Sequence, residues 1–216
     1  MSAPVWASHR LDLAAVEASL RQVQARLPVH RDPLDDRVVD NMLAGYAFVD
    51  ALVAAGTDIF ALGQLKHLLE LNTLVLCGAS EARRAAHAGH RAATERRFYD
   101  EPDAGIQDVV ERHAGHDDEP EWSRAAGVYV RMLTTPQLFI EGNHRTGVLV
   151  MSYVLLNAGR APFVLSVGNA EAYFEVSAAL RHTHKNGPLA LFRLPRLRRR
   201  LAALLRDHDD GRYLLA

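Results

Sequence analysis

One segment of the sequence, from Val148 to Ala158, is apolar at nearly every position instead of along one side only. Its apolar residues are Val148, Leu149, Val150, Met151, Tyr153, Val154, Leu155 and Leu156. A helix that is hydrophobic all round has to be enclosed by other elements of the fold. The run is also far shorter than the roughly 20 residues that a membrane-spanning helix needs. We therefore predict a helix from Arg145 to about Ala158, buried at the centre of the protein.

The rest of the sequence predicts further helices and no strand of convincing length. Apolar residues at helical spacing, bounded by capping residues, glycines and prolines, indicate where each helix begins and ends. The predicted helices cover about 11–26, 35–55, 59–77, 80–94, 106–113, 120–132, 145–158, 169–184 and 189–206. Two polar stretches, 98–105 and 114–120, are predicted to be exposed loops because they are rich in turn residues. The predicted fold class is all-α.

The composition, with 49% hydrophobic and 24% charged residues, is typical of a water-soluble globular protein. We expect one structural unit with three parts: N-terminal helices (1–57), a core (58–187) and a basic amphipathic C-terminal helix (188–216). The formal net charge of −1 gives no global attraction for nucleic acid. The first residues show no signal-peptide pattern, and the single cysteine, Cys77, lies in an apolar run. Both observations predict a cytoplasmic protein with a reduced, buried thiol.

A polar, glycine-containing segment, 139–146, leads into the predicted central helix. The first amide groups of a helix and its dipole both favour negative charge at that end. Arg145 adds a cation there, where it opposes the dipole and a bound anion would balance it. Glu141 offers a carboxylate of the kind that Mg²⁺ takes together with substrate phosphates. The segment therefore predicts a cradle for phosphate and metal. The alternative is a capping loop in which Glu141 and Arg145 pair with each other.

The same segment resembles the signature of the Fic/Doc (Fido) family, which reads His-x-Phe-x-Asp/Glu-Gly-Asn-Gly-Arg-x-x-Arg. The matching stretch runs from Gln137 to Val148 and reads QLFIEGNHRTGV. Flanking residues 122–126, 152–163 and 172–174 are also similar to the family, so the likeness covers about Phe60 to Ala179. The resemblance implies an all-helical Fic/Fido bundle in which the buried central helix follows the signature loop.

Members of this family typically transfer AMP from Mg-ATP to a protein hydroxyl group. By resemblance, Glu141 would hold the magnesium ion, and Arg145 would bind a phosphate. Gly142 and Asn143 would form the anion-binding turn, while Phe139 would anchor the loop in the core. The resemblance thus implies Mg²⁺ with a nucleotide such as ATP as the cofactor, and a protein as the target or partner.

Three positions of the signature depart from the family pattern. Gln137 stands where the family has the histidine that acts as general base, and an amide cannot accept a proton near neutral pH. General-base catalysis is worth about 10²–10⁴-fold, so we expect impaired AMP transfer. Val148 replaces the second arginine and removes a cation from the phosphate site. His144 replaces a glycine, and it either restores part of the lost charge or closes the site by its bulk.

Three functions fit these residues. The preferred one is a degenerate Fic-like protein, a pseudoenzyme that binds a nucleotide and acts through a protein partner. The second is an active transferase that moves AMP or another phosphate-containing group, with Gln137 or His144 compensating for the missing base. The third is an interaction module whose signature loop binds no ligand.

Other polar clusters carry weaker predictions. His87 and His90 lack a third metal ligand nearby, and a solvated surface is also expected for His113, His116, Asp117 and Asp118. The arginines near the C-terminus could bind nucleic acid or an acidic partner. Leucines at helical spacing and the lack of stacking aromatic residues favour a solvated helix face instead. We therefore expect neither nucleic acid nor a membrane as a partner.

Overall fold

The computed structural model describes residues 10–26, 34–101, 105–116 and 118–215. Within these ranges the chain forms ten α-helices, one short 3₁₀ helix (Gly211–Tyr213) and no strand. The helices are α1 Leu13–Arg26, α2 Asp36–Ala54, α3 Lys66–Cys77, α4 Glu81–Ala86, α5 Ala88–Asp100, α6 Ile106–Ala114, α7 Glu121–Leu133, α8 Asn143–Asn157, α9 Ala170–Arg181 and α10 Ala190–Asp207. The all-α prediction is confirmed.

Helix α8 is the segment that the sequence predicts to be enclosed, and it is buried at every position from Thr146 to Leu156. It packs against α7, α2 and α3, while α10 packs against α7 and α9. A Cβ atom at Gly147 would lie 2.6 Å from the ring of Tyr129, so a glycine is needed where α7 and α8 approach each other. The prediction of a buried central helix is confirmed.

One cluster of buried apolar residues extends through the whole described chain. It runs from Leu11, just before α1, through Phe139 in the loop between α7 and α8, to Tyr213 in the 3₁₀ helix after α10. Helices from all three predicted parts therefore bury their apolar faces together, which positions the loop before α8 against a single core. Cys77 is buried and forms no disulfide, as predicted.

The region before α5 differs from the predicted helices. Residues 57–65 form turns and irregular backbone, so the helix predicted over 59–77 begins only at Lys66. Ile59 and Phe60 are nevertheless buried, which is why their pattern mimics a helix face. The helix predicted over 80–94 is two helices, α4 and α5, which meet at His87.

The predicted exposed loop over 98–105 is wrong at its beginning. Helix α5 continues to Asp100, because Phe98 is fully buried and stacks on Phe139 with 5.7 Å between the ring centroids. Burying an aromatic ring is worth more than the local preference of its polar neighbours for a turn. Residues 102–104 of the predicted loop lie outside the described part of the chain.

A largely buried ion-pair network joins α6, the loop after it and α10. Arg112 donates a hydrogen bond to Glu119, and Arg198 donates to the same carboxylate at 2.8 Å. A side chain at Gly127 of α7 would overlap the Arg112 guanidinium, so this glycine makes room for it. Burial by itself raises the pKa of Glu119, but the hydrogen bonds and charges of both arginines outweigh it and lower that pKa.

Replacing Glu119 with glutamine is expected to lower the free energy of unfolding near pH 7 by about 1–2 kcal/mol, since charge-assisted hydrogen bonds are lost. Because the pKa of Glu119 is lower in the folded chain than in the unfolded chain, its stabilisation is present above the ordinary value of 4.5 and is lost below it. Urea unfolding at about pH 7 and about pH 3.5 should show the difference between wild type and Glu119→Gln shrinking in acid. An equal difference at both pH values would contradict this role of the carboxylate.

Candidate functional site

The backbone of the loop between α7 and α8 is held by side chains from other helices. Arg97 of α5 donates from Nε and Nη2 to the carbonyl oxygen of Gln137, at 3.0 and 2.7 Å. Asn72 of α3 donates from Nδ2 to the carbonyl oxygen of Glu141 at 2.9 Å and to Oγ1 of Thr146 at 3.1 Å. The loop is therefore fixed on both sides of its tip before any ligand arrives.

Asn143, the first residue of α8, fixes the loop from within. Its side chain is buried, accepts a hydrogen bond from the N–H of Phe139 and donates one to the carbonyl oxygen of Phe139, each at 2.8 Å. Phe139 itself is buried in the core, as the resemblance implies. The asparagine thus shapes the turn through the backbone, which leaves its carboxamide little freedom to rotate toward a ligand.

The side chain of Gln137, which the resemblance aligns with the family's general base, is bound to other protein groups at both ends. Its Nε2 donates to the carbonyl oxygen of Leu133 at 3.1 Å, and its Oε1 accepts from Nδ2 of Asn143 at 3.3 Å. The residue is half-buried. Gln137 therefore acts here as a bridge between the end of α7 and the start of α8.

The turn into α8 is formed by Gly142, which has a φ of 76° in the left-handed region. A Cβ atom there would lie 3.0 Å from Nδ2 of Asn72, so both conformation and space require glycine. The first hydrogen bond of the helix runs from the N–H of Thr146 to the carbonyl oxygen of Gly142 at 2.9 Å. The amides of 143–145 precede this bond and form the positive end of the helix dipole.

A cavity of about 250 Å³ lies at this N-terminus and is called the α8 cavity below. Its lining residues are Gln137, Ile140, Glu141, Gly142, Asn143, His144, Arg145 and Arg181. The structure thus brings together every site residue that the sequence predicts. With two guanidinium groups, one carboxylate and a helix N-terminus, the balance of charge in the α8 cavity favours an anion.

Arg181, the last residue of α9, is the charged member of this lining that sequence reasoning missed. An arginine in the last turn of a helix is ordinary, because it stabilises the dipole, so no local signal marks Arg181 as a site residue. Val148, where the family has its second arginine, is buried in the core. The second guanidinium at the cavity therefore comes from α9 and not from α8.

His144 lies beside a buried cluster of hydroxyl groups. The Oη of Tyr129 is 2.7 Å from both Oη of Tyr173 and Oγ of Ser177. Nδ1 of His144 is 3.5 Å from the Oη of Tyr129. Desolvation raises the pKa of Tyr129 well above its usual value and that of Tyr173 to about 12, so both remain neutral phenols at neutral pH. The imidazole forms part of the wall, and the cavity persists beside it.

Glu141 is the carboxylate in the lining of the α8 cavity, and it is exposed. A lone carboxylate suits Mg²⁺ when phosphate oxygens and water complete the octahedral shell. In the described residues, no group of three or more His, Cys, Asp and Glu is arranged to hold a metal ion. The sequence also groups Asp117 with His113, His116 and Asp118 in one loop, and Asp117 lies outside the described residues. Mg²⁺ at the cavity would therefore depend on phosphate oxygens and water for all of its ligands except Glu141.

No protein-family model matches the chain, and a search of the curated proteins finds no match either. Among the described helices, none combines the length and the apolar character needed to cross a membrane. What the site can do follows from its own geometry. A fixed loop, the N-terminus of a buried helix, two guanidinium groups and one carboxylate surround a cavity. Helix N-termini and guanidinium groups are the donors that proteins use to bind phosphate groups.

Proposed function

We propose that the chain is a Fic-like protein that binds the phosphate groups of a nucleotide in the α8 cavity and transfers AMP poorly or not at all. The observation that carries the proposal is that Arg145 and Arg181, from two different helices, line one cavity at the N-terminus of α8. These two guanidinium groups and the N-terminus of α8 stand against one carboxylate in the lining, that of Glu141. A chain of phosphate groups, which guanidinium binds in bidentate fashion, is the ligand that balances this charge.

The size of the cavity indicates which part of a nucleotide it holds. Pockets that enclose a whole drug-sized ligand measure about 300–1,000 Å³, and the α8 cavity measures about 250 Å³. The phosphates would occupy the cavity, and the nucleoside would lie at its mouth. Glu141 would bind Mg²⁺ together with phosphate oxygens, and the ion would neutralise part of the phosphate charge. Gly142 holds the turn that directs the first amides of α8 toward the same place.

Gln137 is the reason to propose impaired transfer. A general base has to take the proton of the attacking hydroxyl group, and a carboxamide cannot do so near neutral pH. Its Nε2 and Oε1 are also bound to Leu133 and Asn143, so the carboxamide is held in place by the protein, with one N–H and one lone pair left over. The missing base weighs against ordinary AMP transfer and favours a pseudoenzyme, for which we propose a role through a protein partner.

Titration of the purified chain with Mg-ATP and Mg-ADP tests nucleotide binding. We expect the melting temperature to rise with nucleotide concentration, because a ligand at 100 times its Kd stabilises the folded state by about 2.7 kcal/mol. For a chain of this size, that corresponds to a shift of roughly 5–10 °C. Adenosine, which has no phosphate group, is the matched control and should cause no comparable shift. No shift with either nucleotide at about 5 mM would contradict the proposed site.

Transfer is measured separately, with labelled ATP and the proteins of a cell extract. We expect wild type to label these proteins no more than Glu141→Ala does. Labelling by wild type that is clearly stronger than by Glu141→Ala would show an active transferase. That result would overturn the proposed impairment and leave nucleotide binding intact, so the two parts of the proposal can fail independently.

A further inference from the structure

The beginning of α10 places three large apolar side chains on the surface. Leu189, Leu191 and Phe192 are 60%, 81% and 77% exposed. The packed side of α10 is formed by other residues, among them Leu197 and Leu201, which are buried. Other large apolar residues that are exposed in the described chain are separated from one another in sequence. Single exposed apolar residues are ordinary on protein surfaces, but a cluster of them indicates a binding surface.

Exposed arginines follow these apolar side chains along α10. Residues 181–206 carry eight of the 25 Lys and Arg residues of the chain and none of its 26 Asp and Glu residues. Three arginines of α10 are paired within the protein, Arg198 with Glu119, Arg200 with Glu175 and Arg206 with Asp207. The exposed Arg193, Arg196 and Arg199 form no ion pair with the described residues. The six residues Leu189, Leu191, Phe192, Arg193, Arg196 and Arg199 are called the α10 tip below.

We propose that the α10 tip binds an acidic segment of a partner protein, one that presents apolar side chains between its carboxylates. Protein interfaces are enriched in aromatic residues and arginine, with an apolar centre and a polar rim, and the α10 tip has this composition. Its three arginines are complemented by carboxylates, with which guanidinium forms charge-assisted hydrogen bonds. This surface is distinct from the α8 cavity, and its binding does not require a nucleotide.

Other occupants fit the α10 tip less well. Single-stranded nucleic acid is bound by stacking on aromatic side chains, and Phe192 is the sole aromatic residue of the tip. A helix at a membrane interface buries its whole apolar face in lipid, but α10 already packs that face against α7 and α9. A second copy related by a twofold axis would place arginines opposite arginines, which repel.

A short stretch of fixed backbone joins the α10 tip to the loop between α7 and α8. The N–H of Thr135, at the entrance to that loop, donates to the carbonyl oxygen of Thr183 at 2.9 Å. The N–H of Lys185 donates in turn to the carbonyl oxygen of Thr135 at 2.8 Å. The buried Nζ of Lys185 pairs with Asp108 at 3.0 Å, which fixes the stretch against α6. The chain between α9 and the α10 tip is thereby fixed beside the loop that borders the α8 cavity.

Selection from a random peptide library, with the full chain as bait, tests this proposal. We expect enriched peptides to contain Asp and Glu interspersed with Leu, Phe or Trp, and a labelled synthetic copy to bind in fluorescence anisotropy. Phe192→Ser and the double variant Arg193→Glu/Arg196→Glu should each weaken binding about 10-fold or more. Binding to wild type should also weaken as salt is raised.

Two surface variants elsewhere serve as matched controls. Leu62→Ser changes an apolar residue that is 98% exposed, and Arg91→Glu/Arg96→Glu reverses two exposed charges on α5. Both should bind the peptide as wild type does. Because Phe192 is exposed, Phe192→Ser should melt within about 2 °C of wild type, and Leu191→Ser is a second variant of the same kind. Nucleotide binding by Phe192→Ser should be unchanged, which keeps this proposal separate from the previous one.

Several results would overturn the proposal. The selection could enrich no peptide, or it could enrich peptides that contain no acidic residues. The tip variants could also bind the selected peptide as tightly as wild type does. Tip-dependent binding to vesicles of phosphatidylserine and phosphatidylcholine would assign the surface to a membrane instead. Tip-dependent binding to a single-stranded RNA would assign it to nucleic acid. Self-association in sedimentation equilibrium that Phe192→Ser abolishes would assign it to a second copy of the chain.

Discussion

Replacing both Arg145 and Arg181 with alanine is expected to abolish the rise in melting temperature that Mg-ATP causes in wild type. Both guanidinium groups line the α8 cavity. A hydrogen bond to a charged group contributes about 1.5–3 kcal/mol, so each single variant should weaken binding about 10- to 100-fold. The double variant should therefore bind too weakly to detect by isothermal titration calorimetry, which also gives the affinities of the single variants.

Controls for this experiment have to separate binding from folding. Arg145 also donates a hydrogen bond to the carbonyl oxygen of Val75 at 3.4 Å, so the melting temperature of Arg145→Ala without ligand should be compared with wild type. Arg91→Ala on α5 removes an exposed arginine away from the cavity lining and should bind nucleotide normally. Normal binding by Arg181→Ala would remove that residue from the site. Normal binding by Arg145→Ala would contradict the proposed site as a whole.

Replacing Phe98 with alanine should lower the free energy of unfolding by about 3–5 kcal/mol, the usual cost of emptying a buried aromatic position. Phe98 is fully buried and stacks on Phe139, which anchors the signature loop. The variant should therefore destabilise the core and also loosen the loop. Urea unfolding followed by circular dichroism measures the first effect, and hydrogen exchange of the loop amides measures the second.

The neighbouring Tyr99 provides the control for Phe98. It is 49% exposed and meets the Phe98 ring edge-on, with 4.9 Å between the centroids. Tyr99→Ala should cost about 1 kcal/mol, the contribution of one aromatic pair. If Phe98 lay in an exposed loop, as the sequence predicts, Phe98→Ala and Tyr99→Ala would have equally small effects on stability. That result would contradict the burial of Phe98.

The fold class, and the clustering of most candidate site residues, could be predicted because their signals lie close together along the chain. An all-round apolar run identified α8 as an enclosed helix, since each of its sides needs an apolar neighbour. The predicted site residues all lie between 137 and 145, so chain connectivity alone places them together at the start of that helix. The absence of a general base at Gln137 could also be predicted from the sequence, because a carboxamide cannot accept a proton near neutral pH wherever it lies in the fold.

Other features depend on which helices pack together. The sequence predicts a loop at Phe98 because its neighbours along the chain are polar. In the structure Phe98 is buried because it contacts Phe139, which is distant in sequence. Arg97 and Asn72 hold the signature loop from α5 and α3. Neither residue differs locally from an ordinary surface arginine or core asparagine, so no pattern marks this role.

At the candidate site, the roles of Arg181 and Gln137 also depend on helix packing and not on local sequence. The arginine ends α9 and enters the lining of the cavity only because the end of α9 meets the start of α8. The glutamine is bound by Leu133 and Asn143 only because α7 and α8 meet around it. Periodicity, caps and motifs record interactions among residues close in sequence. Helix packing joins residues that are distant in sequence, and the second cation and the fixed amide therefore became visible only in the folded chain.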